Sequence, residues 1–171
     1  MKIFLLTHER ELNRGTNTGV IALMHSNHIV ERVLWNRVNP DQDLLTLIAL
    51  IENNQALLLY SQQKPDDEEL GAEESESLPI EQSASLIKAF ENIIIIDATW
   101  QESKKIFNQS VYLKNAQHFT LKTTNDSVYK LRANQPKGGL CTIECIIEIL
   151  KIKGHQKLAS ELSLKFEQFN R

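Results

Sequence analysis

Ile93-Ile94-Ile95-Ile96, followed at once by Asp97-Ala98-Thr99-Trp100, shows no alternation of polar and apolar residues. Four β-branched residues in a row suit a strand covered on both faces, as in the middle of a parallel sheet. The run breaks at an acid and an aromatic. Beyond Trp100 the pattern predicts a short helix through Ile106 and Phe107.

Upstream, a helix is expected from Pro79 or Ile80 through Ala84, Ile87 and Phe90. Ile3–Leu6, Ile29–Trp35 and Ala56–Tyr60 read as strands. Pro40 and Asp41 open a helix carrying Leu44, Leu45, Leu47, Ile48 and Ile51. Asn13–Gly19 is turn-prone, and Thr16 or Asn17 is expected to cap a helix through Met24. Downstream, Gln117–Leu121 is a weaker fifth strand and Val128–Leu131 a sixth. Gln135-Pro136-Lys137-Gly138-Gly139 is a flexible loop. Two helices, Thr142–Lys153 and His155–Phe169, are split by Gly154. Strands alternating with helices predict an α/β fold, a mostly parallel sheet with helices on both faces. All 171 residues fit one domain.

The net charge of −3 is unevenly placed. Residues 62–81 hold eight acids and one base, so 62–79 reads as an acidic, solvated loop. The remainder carries 18 Lys/Arg against 14 Asp/Glu, too small a surplus to indicate nucleic acid by itself. The apolar run near Met1 is four residues long, which predicts neither a signal peptide nor a membrane span and hence a cytoplasmic protein. Cys141 and Cys145 stand four apart on a predicted helix and read as buried, reduced thiols. No CxxC or HExxH occurs, so no metal is expected.

Ligands of open parallel sheets bind beyond the carboxyl ends of the strands. Three such ends carry polar groups here: Ser61, Asp97 and Arg132. Asp97 has two open readings. One is a cap, by Asp97 or Thr99, on the helix that follows. The other is a proton acceptor whose pKa is raised by the apolar strand before it. Trp100 is either core or a platform for a base. His8 through Gly19 packs donors, acceptors and two arginines into a turn before a helix, suited to an anion or to solvent. Gly138-Gly139 leading into Leu140-Cys141-Thr142 is a glycine-loop entry to a helix.

Taken together, these blocks resemble the DTW-domain family. Asp97-Ala98-Thr99-Trp100 matches its Asp-x-Thr-Trp signature, with Ala98 where glycine is common. Leu6-Thr7-His8-Glu9-Arg10-Glu11 and Arg14-Gly15-Thr16-Asn17-Thr18-Gly19 resemble its opening block. Tyr129-Lys130-Leu131-Arg132 and Leu140-Cys141-Thr142-Ile143-Glu144-Cys145 resemble two later elements, in the expected order. The resemblance implies a SPOUT-like fold with a C-terminal trefoil knot. It implies transfer of a 3-amino-3-carboxypropyl group from S-adenosylmethionine to N3 of a tRNA uridine. It implies Asp97, Thr99 and Trp100 as the catalytic set. Cofactor contacts are expected from Tyr60, Ser61, Ile96, Asp97, Leu131, Arg132, Leu140 and Thr142. RNA contacts are expected from His8, Glu9, Arg14, Thr16, Asn17, Thr18 and Tyr129. Arg132 or Arg14 is expected to meet the cofactor carboxylate or an RNA phosphate. An RNA methyltransferase and a non-catalytic RNA-binding module are the alternatives. The chain departs from the family in lacking N-terminal zinc-binding cysteines and in reading Tyr60-Ser61-Gln62-Gln63 where relatives show Tyr-Pro-Ser-Glu.

Overall fold

The isoleucine run lies at the centre of a five-stranded sheet. A computed structural model describes residues 1–60, 80–121, 127–129 and 140–171. The strands are β1 (Lys2–Thr7), β2 (Val30–Leu34), β3 (Ala56–Leu59), β4 (Asn92–Asp97) and β5 (Gln117–Phe119). Their order is β2-β1-β4-β3-β5, with every pairing parallel. Ile93 and Ile95 face one apolar core and Ile94 and Ile96 the other, none more than 9% exposed. Each such burial stabilises by about 1.5–3 kcal/mol, and this is why the run needs no polar alternation.

The helices form the two outer layers. On the face of Ile93 and Ile95 lie α1 (Gly19–His25), α3 (Ile80–Ala89), α6 (Thr142–Ile152) and α7 (Gln156–Phe169). On the other lie α2 (Gln42–Glu52), α4 (Trp100–Gln109) and the single-turn α5 (Val111–Lys114). Strand β1 therefore leads to one face and its neighbour β4 to the other. That divergence is a topological switch point, the place where open parallel sheets bind ligands, and it lies at the carboxyl ends of β1 and β4. Thr7 and Asp97 are paired in register there.

Local signals explain the helix ends. Asp41 caps α2 by accepting from the Leu44 N–H at 2.9 Å. Asn17 accepts from the Val20 N–H at 3.1 Å and so starts α1. Gly154 ends α6 at φ +84°, with the His155 N–H bonded to the Leu150 carbonyl at 2.9 Å and the Gly154 N–H to Lys151. Alanine tolerates that conformation poorly, so Gly154→Ala should cost about 1 kcal/mol of unfolding free energy in urea titration.

The sixth strand is corrected. Val128 and Tyr129 lie in no strand, because side chains satisfy the Val128 backbone: its N–H donates to Glu144 and its carbonyl accepts from Asn170, at 3.1 and 2.7 Å. The acidic loop 62–79, the glycine loop 135–139, Ser61, Leu131 and Arg132 lie outside the described residues, as does most of the segment on which the expected knot depends. Among the described residues no helix is long and apolar enough to cross a membrane.

Candidate active site at the end of the central strand

The two readings of Asp97 separate in the structure. The cap of α4 is Thr99, whose hydroxyl accepts from the Glu102 N–H at 3.2 Å while Glu102 accepts from the Thr99 N–H at 3.3 Å. This capping box leaves the Asp97 carboxylate free of the helix. Asp97 is only 2% exposed and gathers donors from three elements. Thr142 Oγ, in the first turn of α6, donates to Oδ1 at 2.9 Å. The Asn17 amide, before α1, reaches both oxygens at 3.1 and 3.0 Å. The Thr7 hydroxyl, ending β1, stands 3.5 Å from Oδ2. Burial pushes the Asp97 pKa up. The Asn17 and Thr142 hydrogen bonds oppose the shift, Glu11 adds to it, and Arg32 opposes it.

A second ring of charge braces this centre. Glu11, 1% exposed, accepts from the Asn17 amide at 2.8 Å and pairs with Arg14. Arg14 also forks onto both oxygens of Glu102, at 3.3 and 3.0 Å. Burial alone would lower the Arg14 pKa, but Glu102 and Glu11 outweigh it and raise it. Burial likewise works to raise the Glu102 carboxyl, yet the Arg14 and Thr99 contacts hold it below the ordinary range. The α1 entry and the start of α6 are joined directly as well. Thr18 Oγ accepts from the Ile143 N–H at 3.2 Å, and the Tyr129 hydroxyl donates to the Thr16 carbonyl. Gly19 opens α1 against the carboxylate, and a Cβ there would stand 2.9 Å from Asp97 Oδ2.

Of the expected residues, Asn17 and Thr142 are thus in direct contact with Asp97; Arg14 and Thr99 join the bracing network through Glu102, Thr18 through the Ile143 N–H, and Tyr129 through the Thr16 carbonyl. Trp100 joins neither apolar core; it is half-buried at the start of α4 with the Lys104 ammonium 5.3 Å from its ring. Ile96 is buried beneath Asp97, and Leu140 is half-buried just before α6. Tyr60 is turned to the α4 face, stacked on Phe107 at 3.9 Å, and burial raises its hydroxyl pKa. His8 is buried and stacks on Trp35 at 5.7 Å, whereas Glu9 is exposed. Thr7, Glu11 and Gly19 lay in the amino-terminal blocks without an assigned role, and Arg32 and Glu102 were not foreseen as site residues. Arg32 had one signal, a cation inside the strand pattern Val30-Glu31-Arg32-Val33-Leu34.

The two cysteines are free thiols. Burial pushes both thiol pKa values up, Cys145 to about 12, which disfavours the nucleophilic thiolate. Among the described residues no group of three or more His, Cys, Asp or Glu could hold a metal ion.

A family model described as DTW domain matches residues 1–171. The chain is also similar to tRNA-uridine aminocarboxypropyltransferase 2 of Macaca fascicularis, 33% identical over 73 residues, which is 43% of this chain and 24% of that relative. The match therefore spans about a quarter of the relative's length. No solved structure matches.

Proposed function

The chain belongs to the DTW domain family, and from that premise we propose that it transfers the 3-amino-3-carboxypropyl group of S-adenosylmethionine to N3 of a uridine in tRNA. The observation that carries the reading is the buried Asp97 carboxylate at the switch point, tied to Asn17 and Thr142 at the openings of two helices. The similarity to a protein named for this transfer supports the choice of reaction. With that reading go a SPOUT-like fold with a C-terminal knot and a cytoplasmic location, both part of the proposal.

The residues present suit such a cofactor. A buried guanidinium nitrogen, Arg32 Nε, has no acceptor among the described residues, and it lies beside the carboxylate cluster. Tyr60, Ser61, Ile96, Leu131, Arg132, Leu140 and Thr142 would hold the adenosine and its polar tail. Bound there, S-adenosylmethionine would supply the sulfonium-activated aminocarboxypropyl carbon, whose bond to sulfur breaks as the bond to N3 forms, leaving methylthioadenosine.

The protein's own work is orientation and proton removal. Trp100 would stack on a uracil splayed from the RNA, with Lys104 close by for a phosphate. Glu9 and Thr16 would line the RNA approach, the buried His8, Thr18 and Tyr129 would hold the turn that carries them, and Arg14 braces Glu11 and Glu102. N3 must lose its proton. Asp97 is almost wholly buried, whereas Thr142 is half-buried and already donates to Oδ1. Thr142 Oγ would therefore take the N3 proton as it passes its own to Asp97. Nucleoside mass spectrometry of tRNA from cells with and without the gene tests the reading. The expected product is uridine heavier by an aminocarboxypropyl group. A methyl increment, or no change together with no cofactor binding in calorimetry, would overturn it.

A further inference from the structure

The two arginines of the cluster are not equivalent. Arg14 spends its fork on Glu11 and Glu102. Arg32, on β2, pairs in register with Leu5 of β1, which in turn pairs with Ile95 of β4. Its side chain therefore rises on the same face as Thr7 and Asp97. It ends 3.9 Å from Asp97 Oδ2, an ion-pair distance too long for a hydrogen bond. Its Nε is buried with no acceptor among the described residues. A buried N–H without a partner is costly, so a guanidinium left in this state is open to an anionic acceptor.

We propose that Arg32 is the anchor for the α-carboxylate of the cofactor's amino-acid tail, and so fixes which carbon faces the uridine. This rests on the aminocarboxypropyl-transfer reading. A guanidinium fork suits carboxylate and phosphate alike, and two observations choose a small carboxylate over an RNA phosphate. The Nε atom is buried, out of reach of a polymer backbone. The cluster holds three carboxylates, Glu11, Asp97 and Glu102, against Arg14 and Arg32, a surplus of negative charge that repels a polyanion and tolerates a zwitterion.

The test compares calorimetric binding of S-adenosylmethionine with binding of its decarboxylated analogue, which lacks only the carboxylate. The wild type should prefer the intact cofactor by about 10- to 100-fold, the range of a charged hydrogen-bonded pair. In Arg32→Met the ratio should fall to near one through loss of affinity for the intact cofactor alone. In Arg32→Lys, which keeps the charge without the fork, the ratio should fall between the two. Circular dichroism and the urea midpoint establish folding, and Arg32→Lys serves alone if Arg32→Met does not fold. A ratio unchanged in the folded variants overturns the assignment while leaving the proposed function standing, as does a loss confined to tRNA affinity. A wild type that binds neither compound overturns both.

Discussion

Asp97→Asn is expected to lower aminocarboxypropyl transfer by about 10²- to 10⁴-fold, the usual contribution of a positioned base. The asparagine oxygen can still accept from Thr142 and Asn17, so the helix openings stay joined. What it cannot do is hold the proton that Thr142 passes on. Cofactor affinity should change far less than the single-turnover rate, and mass spectrometry of tRNA incubated with saturating cofactor reads that rate directly. Full single-turnover activity in Asp97→Asn would remove Asp97 from proton transfer.

The same variant carries a stability signature with a defined sign. The folded-state pKa of Asp97 is raised above 3.8, so the folded protein binds this proton more tightly than the unfolded chain does. Its contribution is fully present below about pH 4 and is lost as pH rises through the raised value. Asparagine has nothing to titrate. The wild type should therefore lose stability relative to Asp97→Asn as pH climbs out of the acid range, measured by urea unfolding at successive pH values.

The sheet was legible because its strands declare themselves locally. Ile93–Ile96 can be buried on both faces only in a covered strand, and Asp41 and Gly154 mark helix ends by residue chemistry alone. Val128 misled because its apolar neighbours suit a strand, while the decisive contacts come from Glu144 and Asn170 on distant elements. The site was legible as blocks, not as bonds. Asn17 and Thr142 were both in view, yet nothing in their spacing says that they meet Asp97 across 80 and 45 residues. The cap was equally ambiguous, since Asp97 and Thr99 suit it alike. Only the Glu102 bond to the Thr99 backbone frees Asp97 for other work.

Gly19→Ala is expected to reduce transfer by at least about tenfold and to destabilise the fold. On an ordinary helix the change would help, since alanine is favoured over glycine by about 1 kcal/mol. Here the new Cβ would stand 2.9 Å from Asp97 Oδ2, 3.0 Å from Leu5 Cδ1 and 3.3 Å from Asn17 Oδ1. None of these neighbours is free to yield. Asp97 is held by Asn17 and Thr142, Leu5 is wholly buried in the sheet, and Asn17 is bonded to Glu11, Asp97 and Val20. Overpacking of this kind costs about 1–3 kcal/mol, enough to cancel the helix gain and leave a net loss. The rate should suffer more than the stability, because α1 must shift or the carboxylate must turn. A displacement of a few tenths of an ångström is felt where about 1 Å can cost a hundredfold. Gly15→Ala is the internal control. Its Cβ would meet nothing within 4 Å, so stability should stay within about 0.5 kcal/mol of the wild type and transfer should be unchanged. Equal rates for Gly19→Ala and the wild type would show that the carboxylate position is not critical, and the Asp97 mechanism would fall with it.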